Sequence, residues 1–422
     1  MLACLVRNRL ILLLFVAVGP LLPEARAAEG PGVVVAGSTA DADVASRRAE
    51  ARRLAGRPEA VTVMLGLLDQ WGEVDDRSAI RSLLDEVIAD PRQLPTVRGR
   101  AGFLRSIVDE RMGDFAEARR RRAALGFISD WLILGPFDDE GKAGDRAELL
   151  PERDLAVRAD SKKEYAGKAG AVRWRALAAR LVSQGMVPLD AVLRPDQHVL
   201  AYATTYVRAE KPGWAAVRVG SSGAIKVWAN AGLVLERDAY RPSRVDQDAA
   251  LVWLGAGWNR LTVKVGAQEG GWAFCLRLTA PDGSPLSFAA STEGGPLPPL
   301  PVRSEVHGNK AAPAPSLAEL GALLKREVDS GSAQAARAYG LFLHYVSPLD
   351  PSQGEAERVL KFAAEAQPGT DAWRMVALAA TDAEKRRHYL EQATAPELLA
   401  KATPIERARA LHGLADAYSR LH

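Results

Sequence analysis

The sequence predicts a multidomain protein in which an antiparallel β-sandwich is flanked on both sides by α-helical hairpins. Two observations predict this fold class. Between Trp214 and Leu278, short segments alternate apolar and polar residues and are separated by glycine-containing turns, which is the pattern of antiparallel strands. Before and after this stretch, apolar residues instead recur every three to four positions, as in amphipathic helices.

The composition is that of an ordinary globular protein. The chain has 422 residues, of which 48% are hydrophobic and 25% are charged, so it is long enough for several domains. Its formal net charge is +3, and the arginines are spread along the chain rather than grouped. This charge pattern predicts no nucleic-acid-binding surface.

The first residues resemble a targeting segment. Residues 1–27 contain two early arginines, an apolar run from Leu10 to Leu22 and the tripeptide Ala25-Arg26-Ala27, which has the small-x-small form of a cleavage site. We therefore predict a signal peptide over residues 1–27 and a secreted or periplasmic location. An uncleaved membrane anchor is the alternative, although the run is short and contains prolines. After cleavage, no further membrane span is predicted.

Changes in composition divide the rest of the chain. The predicted segments are a flexible spacer over 28–44, a helical region over 45–127, a β-sandwich over 128–302, a proline-rich linker over 303–315 and a helical region over 316–422.

Both helical regions resemble tetratricopeptide repeats. In the first, the phrase from Gly113 to Ala118 resembles the opening of the second helix of such a repeat, which implies a surface for protein contacts. A plain helical cap on the neighbouring domain is the alternative. In the second, capping boxes at Ser316 and Thr403 begin successive amphipathic helices, which are similar to a degenerate α-solenoid. The last of these carries one apolar stripe, made of Ile405, Ala408, Leu411, Leu414, Ala415, Tyr418 and Leu421.

Two phrases in the middle of the chain carry a second resemblance. Val227-Trp228-Ala229-Asn230 and the strand Gly257 to Val265 resemble the jelly-roll sandwich of the galactose-binding-like superfamily. They are especially similar to the non-catalytic N-terminal sandwich of β-galactosidase-type glycoside hydrolases. The resemblance implies a jelly-roll fold for residues 128–302 and implies little about function.

The residues that usually carry catalysis lack the required settings. Gly220-Ser221-Ser222-Gly223 is predicted to be a hairpin loop rather than a nucleophile elbow. Cys275 lies in the middle of a predicted strand, away from any helix N-terminus that could lower its pKa. The six histidines show no metal-ligand spacing. We therefore predict neither a catalytic constellation nor a cofactor.

The densest acidic loop contains Asp138, Asp139, Glu140 and Asp145. Its carboxylates could supply oxygen ligands to a structural calcium ion, and we take Asp138, Asp139 and Asp145 as the candidate ligands. Their spacing does not match the helix-loop-helix calcium motif. The alternative is an exposed, solvated excursion of the chain over residues 138–160.

Aromatic and polar side chains near the predicted turns form a candidate ligand site. Sugar-binding sites stack pyranose rings on aromatic rings and bind hydroxyl groups with Asn, Asp and Arg side chains. The alternative is that the tryptophans belong to the sandwich core. The candidates are Asn230, Arg237, Tyr240, Arg241, Asp246, Trp253, Trp258 and Trp272.

We predict a secreted or periplasmic, bacterial-type, non-catalytic scaffold that contacts proteins or envelope polymers, with the concave face of the helical repeats as the protein site. A carbohydrate-binding module is one alternative. Another follows from the strand Trp131 to Phe137, which, with the sandwich and helices, resembles the front part of large bacterial proteins with a later transglutaminase-like domain. That resemblance implies an accessory region of a peptidase. No matching Cys-His-Asp set is found in this sequence.

Overall fold

A computed structural model describes residues 39–297, 313–346 and 354–421. The predicted signal peptide, the start of the predicted spacer and most of the predicted proline-rich linker lie outside the described residues. The first helix begins at Thr39, so the end of the predicted spacer over 28–44 is helical rather than flexible. The predicted domain boundaries otherwise stay predictions.

Helices occupy both flanks of the strand region, and short ones interrupt it. No helix in the described ranges has both the length and the apolar character needed to cross a bilayer. Their bounds are α1 Thr39–Arg53, α2 Arg77–Ala89, α3 Pro95–Arg111, α4 Phe115–Ala124, α5 Ala143–Arg146, α6 Leu150–Arg153, α7 Leu189–Val192, α8 Leu317–Val328, α9 Ala333–Val346, α10 Glu355–Ala366, α11 Thr370–Ala379, α12 Ala383–Ala393, α13 Pro396–Leu399 and α14 Pro404–Leu421, with 3₁₀ helices at Pro58–Met64, Leu67–Gly72, Glu140–Lys142 and Ala179–Leu181.

The strands form an antiparallel sandwich. The strand bounds are β1 Leu132–Asp138, β2 Tyr165–Gly167, β3 Gly170–Val172, β4 Arg175–Ala176, β5 Val187–Pro188, β6 Val199–Ala209, β7 Gly213–Ser221, β8 Ile225–Ala229, β9 Gly232–Arg237, β10 Asp248–Leu254, β11 Gly257–Ala267, β12 Ala273–Thr279 and β13 Ala289–Ser291. Within the described residues, the larger sheet has the order β4-β1-β6-β11-β8-β9, with β13 also paired to β6, and the smaller sheet has the order β10-β7-β12-β5. A separate hairpin joins β2 and β3.

Alternation along the strands separates the sandwich core from its outer faces. On β11, Leu261, Val263 and Val265 belong to the core cluster that both sheets share. Arg260 and Lys264 lie on the opposite face of the same strand, because successive side chains of a strand point to opposite sides. The prediction of an antiparallel sandwich flanked by helices is confirmed.

The helices before and after the sandwich share one hydrophobic cluster. Val61 and Ile80 from the N-terminal helices belong to it, together with Leu320, Phe342 and Val359 from the C-terminal helices. The helical parts on either side of the sandwich are therefore two halves of one packed structure, although the sandwich separates them in the chain.

The last helix, α14, packs on its neighbours through small residues. Ala410 and Ala417 are buried in a C-terminal cluster. Leu411 and Tyr418 of the predicted apolar stripe are 47% and 42% exposed. Tyr418 lies at the surface and donates a hydrogen bond to Glu391. Part of the stripe is therefore exposed.

Parts of the acidic excursion after β1 are buried, whereas the alternative prediction was a solvated loop over residues 138–160. Asp139 is fully buried and Asp145 is 7% exposed. The ammonium group of Lys264, itself fully buried on the outer face of β11, donates hydrogen bonds to Ala147 O at 2.9 Å and to Glu152 Oε1 at 2.8 Å. The excursion covers the outer face of the larger sheet because a buried ammonium needs acceptors there.

A buried ion pair lies where the smaller sheet meets the helices. Arg277 on β12 binds Asp246 through Nε at 2.7 Å and donates from Nη1 to Leu125 O, at the end of α4, at 2.9 Å. The backbone N–H of Leu317, at the start of α8, donates to Asp246 O at 2.9 Å. These contacts connect the sandwich to both helical halves, and we refer to Arg277, Asp246, Leu125 and Leu317 as the junction.

Candidate functional site

Three of the predicted ligand residues are buried in the structure. Trp272 is fully buried in the sandwich core, and its indole N–H donates to Val265 O at 3.1 Å. Asn230 is 6% exposed, and its side-chain amide donates to Asn259 Oδ1 at 3.2 Å. Asp246 belongs to the junction. All three side chains therefore have structural partners.

The other predicted ligand residues do not form one cluster: Arg237 and Arg241 share a carboxylate partner, whereas Trp253 and Trp258 have other neighbours. Arg237 donates to Asp248 at 3.0 Å, and Arg241 binds the second oxygen of the same carboxylate. The ring of Tyr240 lies 4.2 Å from the ammonium group of Lys142. The half-buried Trp253 packs edge to face on Trp214 at 5.5 Å, and Trp258 lies beside Gly295. The predicted sugar site stays a prediction.

Two of the three candidate calcium ligands have side-chain partners, whereas Asp145 Oδ1 is buried without a hydrogen-bond partner among the described residues. Asp139 accepts hydrogen bonds from the backbone N–H of Asp145 at 2.7 Å and from Gln268 at 3.0 Å. Asp138 pairs with Lys168 at 3.0 Å. Burial raises the pKa of both Asp139 and Asp145. Within the described ranges, no group of three or more His, Cys, Asp or Glu side chains is arranged to hold a metal ion.

Cys275 is the buried thiol of the sandwich. Burial, and to a smaller extent the charge of Asp246, raises the pKa of its thiol to about 12. A thiol with this pKa is protonated at neutral pH, which makes it a poor nucleophile.

A cavity of about 1150 Å³ lies between the N-terminal and C-terminal helices, and we refer to it as the groove. One wall consists of α1 and the following 3₁₀ helices. The opposite wall consists of α9, α11 and α14, together with the end of α8. The sequence predicted a protein site on the concave face of the C-terminal helices, but not that the N-terminal helix would form the other wall.

Each lining helix presents a single face to the groove. The lining positions of α11 are spaced by three and four residues, and those of α1 and α9 also recur at close to the helical period. The groove is therefore bounded mainly by helix faces. The lining residues on these three helices include Asp43, Arg47, Glu50 and Leu54 on α1, Arg337, Ala338, Leu341 and Tyr345 on α9, and Asp371, Arg374, Met375 and Leu378 on α11.

Every arginine that lines the groove has a carboxylate partner. The guanidinium groups of Arg337 and Arg374 both bind Asp371, each at 2.7 Å. Their charges lower the pKa of Asp371, although burial alone would raise it. The walls are joined by an ion pair between Arg409 of α14 and Glu73. The remaining pairs are Arg47–Asp43, Arg53–Glu50 and Arg57–Glu59.

Some acceptors in the groove have no donor within the part of the chain that the structure describes. Glu59 Oε2 and Gln70 Oε1 are shielded from solvent without a hydrogen-bond partner. Glu327, at the end of α8, lies close to Glu59. Burial and the neighbouring charge of Glu59 raise the pKa of Glu327. The groove thus combines matched arginines with acceptors that lack donors.

Tyr345 adds a polar aromatic group to the groove. Its hydroxyl group donates to Asp69, and burial together with the charge of Asp69 raises the pKa of Tyr345 to about 12. No local sequence signal indicated the groove, because its walls come from segments far apart in the chain. The signal that could have suggested it is the strongly charged composition of α1, TADADVASRRAEARR, which is unusual for a helix packed on a core.

Comparisons with known proteins assign no family to this chain. No family model matches it, and no curated protein matches it. Among solved structures, it is similar in part to a β-glucosidase from Kluyveromyces marxianus in complex with glucose, with 12% identity over 35% of this chain and 16% of that chain at a TM-score of 0.22. A GH31 α-xylosidase from Xanthomonas citri gives 16% identity over 37% of this chain and 16% of that chain at a TM-score of 0.21.

A selenomethionine-labelled β-glucosidase from Kluyveromyces marxianus covers more of the chain. It gives 9% identity over 56% of this chain and 23% of that chain at a TM-score of 0.23. The chain thus matches less than a quarter of the length of each of these three structures. Similarities with such TM-scores carry no argument about function, and the galactose-binding-like resemblance stays a prediction.

Proposed function

We propose that this protein is a non-catalytic binding scaffold that holds a segment of another protein in the groove. The observation that carries the proposal is the groove itself. Its volume of about 1150 Å³ exceeds the range of about 300–1,000 Å³ typical of small-molecule pockets. Continuous faces of α1, α9, α11 and α14 line it, as expected for an extended ligand that lies along several helices.

The sandwich acts in this proposal as a rigid mount for the groove. The junction joins it to the ends of α4 and α8, which belong to opposite helical halves. Because Asp246 and Arg277 are almost completely buried, this connection is shielded from competing water. The sandwich thereby limits the movement of one wall of the groove relative to the other.

We propose that this function lies outside the cytoplasm, in line with the signal peptide predicted over residues 1–27. The partner would then be a secreted, periplasmic or envelope protein. The carbohydrate-binding and peptidase-accessory alternatives stay predictions, since the contacts of the described residues favour neither.

Filling the groove tests the proposal. Ala42 and Ser46 are exposed residues of α1 that line the groove, so Ala42→Trp and Ser46→Trp should occupy it without disturbing the core. Ala45 and Ala49 are exposed on the same helix and do not line the groove, so tryptophan at these positions provides the matched control. Proteins that crosslink to the wild-type chain in an envelope fraction would be quantified for all four variants.

We expect a specific partner to crosslink to the wild type and to the Ala45→Trp and Ala49→Trp variants, and to be lost from the groove-filled variants. Thermal unfolding of each variant would show that the fold is retained. The proposal fails if every crosslinked protein is recovered equally with the groove-filled and the control variants.

A further inference from the structure

The groups without partners in the groove are of one chemical kind. Glu59 Oε2 and Gln70 Oε1 are both hydrogen-bond acceptors. Each residue lies in the groove lining. A buried acceptor without a donor costs free energy, which a ligand with N–H groups can recover. The identity of these groups therefore indicates the chemistry of the ligand, and this inference rests on the proposed function.

The first acceptor belongs to a pair of carboxyl groups. Glu59 Oε1 accepts from Arg57 at 2.6 Å, whereas Oε2 has no donor. Glu327 lies close enough to Glu59 for their charges to interact. In the described residues, Glu327 has no Lys or Arg partner in an ion pair. The Arg57 guanidinium pairs with Glu59, and its charge also acts on Glu327. A further cation at this position would be attracted to both of them.

The second acceptor is fixed in its orientation. Gln70 is 5% exposed, and its side-chain nitrogen donates to Asp43 Oδ2 at 2.6 Å. Because an ionised carboxylate accepts hydrogen bonds and cannot donate them, the amide nitrogen must face Asp43. The amide oxygen then faces away from Asp43 and has no donor.

The charges that line the groove sum to a negative value. Six arginines and eight carboxylates line it, which gives −2 with His412 neutral. Within the described ranges, three of these carboxylates have no Lys or Arg partner in an ion pair: Asp69, Glu327 and Glu406. Since the arginines are already matched, the charge that remains for a ligand is negative.

We propose that the groove selects a partner segment carrying Lys or Arg, with the cationic group bound at Glu59 and Glu327 and a further N–H donor bound at Gln70. An ammonium group has three donors and a guanidinium group has five, which suits several acceptors in one place. The volume of the groove favours a polypeptide segment over a small amine. In the free protein, water molecules can satisfy these acceptors and would be displaced on binding.

Fluorescence anisotropy with short labelled peptides tests this selection on the full chain. One peptide carries lysines in a glycine-serine-alanine background, and its matched forms carry glutamine or glutamate at the same positions. We expect the lysine peptide to bind more tightly than both. Glu59→Gln and Glu327→Gln should each weaken it by about tenfold, the loss expected for one charge-assisted hydrogen bond. Glu397→Gln, at an exposed residue outside the groove, is the control and should leave binding unchanged.

Thermal unfolding distinguishes this role from a structural one. Because the pKa of Glu327 is raised in the folded protein, its ionisation disfavours folding once the pH exceeds the pKa of the unfolded chain. Glu327→Gln should therefore raise the Tm at neutral pH while it weakens peptide binding. A side chain that merely supports the fold would lower both.

Three results would overturn the inference: tighter binding of the glutamate peptide, displacement of the lysine peptide by spermidine at equal amine concentration, or full affinity in both Glu→Gln variants. The last result separates the two proposals. If Ala42→Trp still abolishes binding of the natural partner while Glu59→Gln and Glu327→Gln do not affect it, the scaffold function stands and the cationic selection fails. If Ala42→Trp has no effect either, both fail.

Discussion

The buried cations of the sandwich and the shielded acceptors of the groove are both withdrawn from water, but their hydrogen bonds are satisfied differently. In the sandwich, Arg260 is fully buried and donates to Asp154 O at 2.7 Å and to Thr204 Oγ1 at 3.0 Å. Lys264 likewise donates to acceptors of its own chain. In the groove, Glu59 Oε2 and Gln70 Oε1 lack donors.

Burial alone therefore does not show whether a polar group holds the fold together or can bind a ligand. Whether its hydrogen bonds are already made within the chain is the better guide. A buried cation whose donors are all used holds two elements together and has little left for a ligand. A shielded acceptor without a donor instead offers free energy to whatever supplies one. The following four predictions test this contrast, from the largest expected effect to the smallest.

The largest effect is expected at the junction. Arg277→Met leaves the carboxylate of Asp246 buried without its partner, which should reduce the free energy of unfolding by about 3–5 kcal/mol. Chemical denaturation would measure it. Adding Asp246→Asn removes the unpaired charge and should restore part of the loss. A loss below about 1 kcal/mol would mean that this ion pair does not secure the junction.

The junction also predicts a dependence on pH. Burial alone would raise the pKa of Asp246, but the charge and hydrogen bonds of Arg277 lower it below its usual value. The ionised carboxylate therefore stabilises the fold above the pKa of the unfolded chain, and this contribution is lost as the pH falls through the lower folded pKa. In Arg277→Met this source of acid sensitivity should disappear.

An intermediate effect is expected on the outer face of the larger sheet. Lys264→Met leaves Ala147 O without a buried donor and removes one of the two buried donors to Glu152, the other being the Tyr202 hydroxyl, which should cost about 1–3 kcal/mol. Limited proteolysis should then cut faster between α5 and α6 than elsewhere. Lys162→Met, at an exposed lysine, is the control. Equal cleavage in both variants would contradict a fastening role for Lys264.

The smallest effect is expected at the ion pair between the walls of the groove. Arg409 pairs with Glu73, whose side chain is 43% exposed, and such pairs contribute about 0–1 kcal/mol. Arg409→Ala should therefore leave the Tm almost unchanged. A clear loss of stability would show that the walls depend on this contact rather than on their shared hydrophobic cluster.

The sequence predicted elements far better than it predicted their partners. Period-2 alternation placed Leu261, Val263 and Val265 inside the sandwich because strand geometry is local. The burial of parts of the acidic excursion was missed because the excursion binds Lys264 through its own backbone carbonyl groups, which leave no residue pattern. The packing of α14 through Ala410 and Ala417 was not predicted either, since alanine carries a weaker hydrophobic signal than leucine.

The groove escaped prediction for a related reason. Gln70 and Glu327 line it from positions far apart in the chain, and no pattern within either segment indicates the other. Even the unpaired state of Glu59 Oε2 depends on which side chains surround it. Only the helical character of the lining segments was available from the sequence.

The hydrophobic cluster shared by the two helical halves has a consequence for biosynthesis. Val61 and Ile80 are made early, whereas Leu320 and Phe342 of the same cluster emerge only after the entire sandwich. Domains generally fold as units as they are synthesised, so the sandwich can form first while the early helices wait with part of their apolar surface uncovered. Formation of the binding surface thereby depends on synthesis of the C-terminal helices, and a product truncated before α8 would carry a folded sandwich without a formed groove.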